Sequence, residues 1–325
     1  MMTQDKVTED QVEALLGSFK KYKHLEQYQD IIVNDTVISR GVRECEKRWD
    51  FVSLIASAWD RPFTVLDIGA NLGYFSLKLA RDFDCTVVSC EGIYGDWLQQ
   101  VFEANDLDNL LLLKKTFTLD DLKTLADVEH FDLVLAMSVV HHIDGEYSEI
   151  IETIRSLGDV VLIEVANEAN ACGQRIVRNT SIPDDAKMIG YGDSHLDTGQ
   201  RPIFMMEQKR NHLKKAYIGT PLDDINILID STFSHKYAYK NGNRYKWNRG
   251  INLKTWLEMG GSYPSREKVK DMILASRPTE NHGDLYTHNI ILQGDSVKFI
   301  DKNDARRDTY NDNITIIKVL EDLQS

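Results

Sequence analysis

Five short apolar runs, each followed by a stretch with helical spacing, constrain this chain more than any other feature. They read "FTVLDIG" (63–69), "CTVVSCEG" (85–92), "NLLLLKKTF" (109–117), "FDLVLAMSVV" (131–140) and "DVVLIEVAN" (159–167). None alternates apolar with polar residues, so each should form a strand buried on both faces. Strands that alternate with helices in this way pack as a doubly wound, mostly parallel α/β sheet. "RPIFMMEQ" (201–208) is expected to be a late edge strand. The 325 residues, 42% of them hydrophobic, suffice for one large domain or two ordinary ones.

The flanks read differently. Residues 1–57 are expected to form an N-terminal helical segment. Thr8 and Gln11 have capping-box spacing ahead of "VEALLGSFKKY", and "SRGVRECEKRWDFVSLIASAW" is apolar at Val42, Trp49, Val52 and Ile55. Pro62 closes that segment, and the sheet domain is expected over 58–210. Residues 211–325 should form a smaller α+β region. In it, Asn241-Gly242 signals a tight hairpin within a basic, aromatic stretch at 235–256. Helices follow at about 252–259 and 265–275, punctuated by Gly260-Gly261 and Pro264. The last residues, "NITIIKVLEDLQS", place Ile314, Ile317, Val319 and Leu320 at helical spacing.

The net charge of −13 speaks against a general nucleic-acid-binding surface, which would be basic. Cys45, Cys85, Cys90 and Cys172 have no zinc-type spacing, and a reducing cytoplasm is expected. The acidic start "MMTQDKVTEDQVEALL" does not read as a signal peptide. The longest apolar run, "LVLAMSVV", is far below the roughly 20 residues that span a bilayer, so at most peripheral contact with the inner membrane face is expected.

In "VLDIGANLGYFS" a strand runs through Asp67 into Gly69, Asn71 and Gly73 and then into a helix. Glycines there let a ligand approach the backbone. Twenty-four residues past Asp67, the second strand ends in Glu91, where an acid can accept both hydroxyls of a ribose. The spacing is not the Gly-x-Gly-x-x-Gly of nicotinamide enzymes, and a Walker lysine is missing. The pattern resembles motif I of class I S-adenosylmethionine methyltransferases. That resemblance implies S-adenosylmethionine as cofactor, Asp67 near the methionine amine, Glu91 on the ribose, and Thr116, Phe117 and Thr118 bordering the adenine. "FDLVLAMSVVHHI" resembles the family's fourth strand, whose carboxyl end faces the reacting methyl. Ser138, His141 and His142 fall there, and Glu164 ends the next strand facing the same cleft.

The order "FDLVLAMSVVHHI", "VLIEVANE", "GYGDSHLDTGQRPIF" resembles the methyltransferase half of bacterial O-antigen chain terminators, over roughly residues 35–210. In those bifunctional proteins a methyltransferase precedes a kinase. The resemblance places His195 and Arg201 beside the acceptor. "HGDLYTHN" and "VKFID" likewise resemble the catalytic loop of kinases and aminoglycoside phosphotransferases. There Asp284 would orient the attacking hydroxyl, and Asn289 and Asp301 would hold magnesium. Asp301 is followed by Lys302-Asn303 rather than Phe-Gly, and no Gly-rich loop precedes the segment. A degenerate kinase-like region without its own kinase activity is therefore expected, and no resident metal.

The expected activity is O-methylation of a surface polysaccharide, at a terminal sugar or its phosphate, with a lipid-linked glycan acceptor and a glycosyltransferase as partners. His142, His195 and Arg201 are the leading catalytic candidates, with His141 beside them. Three alternatives stand beside this one. The first is an RNA methyltransferase using the 235–256 hairpin, the second a working methyltransferase–kinase, and the third a non-catalytic cofactor-binding subunit.

Overall fold

The computed structural model describes residues 9–18, 26–60, 62–166, 181–194, 199–207, 237–240, 244–247, 249–278, 282–283, 285–300 and 312–323. The N-terminal part holds helix α1 (Glu9–Ser18), a hairpin of β1 (Ile31–Val33) and β2 (Thr36–Ser39), and helix α2 (Glu46–Ala56). The all-helical expectation for this part is thus corrected: a hairpin precedes α2, and the stretch from Ser39 expected as one long helix is helical only over Glu46–Ala56. Asn34 and Asp35 take positive φ between the two strands, which turns the chain back on itself. Val42, expected on an apolar face, is exposed, whereas Val52 is fully buried. Thr8 lies outside the described residues.

The five apolar runs all become strands: β3 (Phe63–Ile68), β4 (Cys85–Cys90), β5 (Leu110–Leu113), β6 (Phe131–Met137) and β7 (Gly158–Glu164). They pair in parallel in the order β5-β4-β3-β6-β7. Helices α3 (Tyr74–Asp82), α4 (Gly95–Asn105), α5 (Leu119–Val128) and α6 (Tyr147–Ser156) make the crossovers. The strand period of two divides every run between two cores. Val65, Val87, Leu110, Leu112 and Leu133 pack with α2, α3 and α4. Leu66, Val88, Leu111, Leu113 and Val134 pack with α5 and α6. Both faces are covered, which is why the runs carry no polar alternation.

Two further strands complete that side of the sheet. β8 (Lys187–Asp193) is the edge, and β9 (Gln200–Glu207) lies antiparallel between β7 and β8. The expectation that 201–208 forms the edge is therefore corrected. Counted from β3, the strands run 3-2-1-4-5-7-6, with the late antiparallel strand inserted between the fifth and the sixth. This is the Rossmann-like methyltransferase fold.

The C-terminal region continues both the sheet and the core. β10 (Tyr237–Lys240) and β11 (Arg244–Trp247) pair as an antiparallel hairpin; residues 241–243 lie outside the described residues. β12 (Ile251–Asn252) leads into α7 (Leu253–Glu258), then β13 (Gly261–Tyr263) and α8 (Arg266–Ala275). β14 (Ile290–Leu292), β15 (Val297–Phe299) and α9 (Asp312–Asp322) follow. The expected helices near 252–259 and 265–275 are present, but a strand forms between them, with Gly260 and Pro264 at its two ends. β13 pairs antiparallel with β5 (Gly261 with Leu113, Tyr263 with Leu112) and so becomes the far edge of the eight-stranded sheet. Trp256, Ile273, Leu292, Ile316 and Val319 join the same core as α5 and α6. Sheet and core thus run across the boundary expected at 210/211. Of the apolar positions expected on the last helix, Val319 is buried and Ile317 exposed.

Candidate functional site

A cavity of about 480 Å³ opens at the carboxyl ends of β3, β4 and β6, where ligands bind in open parallel sheets. Gly69, Asn71, Glu91, Thr116, Phe117, Ser138, His141, His142 and Arg201 all line it. The fold therefore brings together most of the residues singled out in the sequence.

The loop after β3 is shaped by backbone that few side chains tolerate. Gly69 has φ +72°, and a Cβ there would meet Val139 Cγ2 at 2.6 Å. Asn71, also at positive φ, donates its backbone N–H to Glu91 Oε2 at 2.8 Å, and Tyr94 N–H donates to Oε1 at 3.1 Å. Glu91 thus ties the glycine loop to the β4–α4 loop. Burial pushes its carboxyl up, partly offset by these backbone donors. The N-terminus of α3 is already occupied: Gln29 Oε1 accepts from Leu72 N at 3.2 Å and Tyr74 N at 3.1 Å. A dinucleotide enzyme would offer those donors to a pyrophosphate. Here they are taken, so the loop suits a nucleoside ligand without phosphates.

Three expected cofactor residues, Asp67, Gly73 and Thr118, lie off the cavity lining. Asp67 is buried off the cavity and accepts from Ser76 Oγ at 2.6 Å, which in turn accepts from Ser89 Oγ at 2.8 Å. Desolvation pushes its carboxyl up to about 7, against the Ser76 hydrogen bond. Gly73 caps α3 and is not a lining residue. Thr118, expected beside an adenine, instead caps α5: its hydroxyl accepts from Asp121 N at 3.2 Å. Gly92 was missed by sequence reasoning. A Cβ there would collide with Thr116, so only glycine lets those two loops close on each other.

The charged cluster at the end of the cavity under β6 joins Glu164 and Arg201 to two arginines, Arg43 and Arg48, that no motif announced. Ser138 sits just past β6 with φ +62°. Its hydroxyl accepts from Arg43 Nη2 at 2.9 Å and from Arg201 Nη1 at 3.1 Å. Glu164, fully buried at the end of β7, pairs with Arg43 and takes Arg48 through Nε at 2.8 Å and Nη2 at 2.9 Å. Burial alone would raise the Glu164 carboxyl, but Arg43, Arg48 and Arg201 together hold it below its usual range. Burial also drags the Arg43 guanidinium down to about 10. Nothing in the sequence singles out Arg43 and Arg48, and only the apolar positions of that segment carry a reading. The only available clue was that a carboxylate buried at Glu164 must find cations somewhere.

His141 and His142 form a 3-10 turn after Ser138, their ring centroids 4.1 Å apart. Burial, with Arg201 nearby, lowers the His142 pKa, so its imidazole stays neutral further into acid. His195 lies outside the described residues.

Of the kinase-like trio, Asp284 and Asp301 also lie outside the described residues. Asn289 is buried at the foot of the β14–β15 hairpin, where its carbonyl accepts from Ile300 N at 3.0 Å. Among the described residues, no cluster of His, Cys, Asp or Glu could hold a metal ion, and no helix is long and apolar enough to cross a membrane. Cys45, Cys85 and Cys90 are buried free thiols.

No family model matches the chain. Two curated proteins of Escherichia coli, both named O-antigen chain terminator bifunctional methyltransferase/kinase WbdD, are 25% identical to it over 209 residues. The chain resembles these chain terminators. The match covers 57% of this chain and 28% of each relative, so the chain spans little more than a quarter of the WbdD length. A crystal structure of WbdD aligns at 18% identity and a TM-score of 0.48, over 95% of this chain and 86% of that one. The N-terminal domain of EvdMO1, solved in the presence of SAH and D-fucose, aligns at 13% identity and a TM-score of 0.46, over 63% of this chain and 100% of that one. Both likenesses are loose, and the fold assignment rests on the strand order described above.

Proposed function

We propose that this chain is an S-adenosylmethionine-dependent O-methyltransferase acting on a bacterial surface polysaccharide, at a terminal sugar hydroxyl or its phosphate. The observation that carries the cofactor reading is Glu91, held by Asn71 N and Tyr94 N on the wall of a nucleoside-sized cavity. A carboxylate is an acceptor-only group with about four positions, the chemistry that ribose hydroxyls require. Ile68, Ile93 and Phe117 supply apolar wall for a base. The acceptor class comes from the resemblance to the chain terminators, and such an acceptor would be lipid-linked at the inner membrane face. When bound, the cofactor supplies an electrophilic methyl group. The protein supplies alignment, worth up to roughly 7–11 kcal/mol in favourable cases.

The first test is calorimetry with S-adenosylhomocysteine. Wild type should bind in the micromolar range, and Glu91→Ala should lose about 1.5–3 kcal/mol, because a charged acceptor is removed. Absence of binding to wild type would sink the cofactor reading.

His142 is the candidate base for a hydroxyl acceptor. Its lowered pKa keeps it unprotonated at neutral pH, and activity should fall only as pH drops below the ordinary imidazole value of about 6.5. His142→Ala should slow turnover about 10²–10⁴-fold and abolish that acid limb, with cofactor affinity unchanged. Full turnover in the variant would remove the base and favour a phosphate acceptor. A phosphate needs no deprotonation and would be held by Arg201.

A further inference from the structure

Ser138 is the one hydroxyl in the cavity whose acceptor positions are both committed to cations. Arg43 and Arg201 donate to its Oγ at 2.9 and 3.1 Å. A hydroxyl oxygen has two lone pairs and one proton. With both lone pairs turned to guanidinium groups, the O–H is left for the cavity that Ser138 lines. Among the described residues, no protein acceptor takes this proton. The backbone points the same way. Ser138 is a non-glycine residue at φ +62°, held there by its N–H on the Glu164 carbonyl at 3.1 Å. Strain of this kind persists where the surrounding structure imposes it and concentrates at functional sites. Glu164 fixes Arg43 from behind, so the donor is set in place before any ligand arrives.

We infer that Ser138 is the recognition donor of an oxyanion subsite, giving its proton to a carboxylate or phosphate oxygen of a bound ligand. Two guanidinium groups on the same oxygen polarise the O–H and favour an anionic acceptor over a neutral one. This deepens the reading proposed above and rests on it. The oxyanion has two sources: the carboxylate of the cofactor, or an anionic group on the glycan acceptor.

The test uses the full chain and two variants. Ser138→Gly removes the hydroxyl at a φ that glycine prefers, and Ser138→Ala checks it with a Cβ retained. Calorimetry is run with S-adenosylhomocysteine, with methylthioadenosine (which lacks the carboxylate), and with inorganic phosphate added to protein saturated with S-adenosylhomocysteine. Both variants should lose about tenfold or more in affinity for one oxyanion-bearing probe and keep wild-type affinity for methylthioadenosine. A loss on S-adenosylhomocysteine assigns the subsite to the cofactor carboxylate. A loss confined to phosphate assigns it to the acceptor. Unchanged affinity for all three, or an equal loss on methylthioadenosine, overturns the inference. Wild-type binding of S-adenosylhomocysteine is measured in the same series, so failure of the cofactor reading would show separately.

Discussion

A chain ending at residue 210 is expected to aggregate and to show no cooperative melting transition, whereas the full chain melts cooperatively. The reason lies on both flanks of β5. Its outer edge is paired by β13, and the all-leucine run Leu110–Leu113 would otherwise be an open apolar edge, a template for aggregation. On the face packed against α5 and α6, the truncation also removes Ile251, Leu253, Trp256, Ile273 and Leu292, all fully buried. Losing even one such side chain costs about 2–5 kcal/mol. Total stability is typically only about 5–15 kcal/mol, so losing the whole group leaves nothing to hold the sheet together. Trp256→Ala in the full chain is the graded control and should cost about 3–5 kcal/mol. A soluble 1–210 chain that melts as sharply as the full protein would show that the C-terminal region is an independent appendage.

Glu164→Ala should destabilise the protein by about 3–5 kcal/mol, measured by denaturant unfolding at pH 7. The carboxylate is fully buried, and its removal strands Arg43 and Arg48 without their counter-charge. The pH dependence carries its own sign. The folded carboxyl lies below its ordinary value of 4.5, so its contribution is present above that value and is lost as pH falls through the lower folded one. The gap between wild type and Glu164→Gln should therefore narrow in acid, below about pH 4.5. A gap that stays constant into strong acid, or a loss under about 1 kcal/mol at pH 7, would mean that solvent screens this pair as it does a surface one.

These two residues sets mark the limits of what could be read from the chain. The strands were legible because burial on both faces writes unbroken apolar runs, and five such runs became five parallel strands. The glycine loop and Glu91 were legible because they follow the first two strands at fixed distances along the chain. Gly92 was not, since its role is to let Thr116 close on it from another loop. Asp67 matched the motif but turned inward to Ser76, because alternation along β3 sends neighbouring side chains to opposite faces.

The sequence by itself determined the local, repeating features: which apolar runs are strands, which crossover segments between them are helices, and which glycine loop borders the cavity. Only the tertiary structure decided how β13 closes the sheet, why the N-terminal segment carries a hairpin, and that Arg43, Arg48 and Arg201 meet at Glu164 and Ser138. The physical reason is range. Periodicity and turn chemistry act between residues a few positions apart. Arg43 and Glu164 stand 121 positions apart, and nothing local to either residue specifies that a carboxylate at one strand end will be neutralised by an arginine from a distant loop.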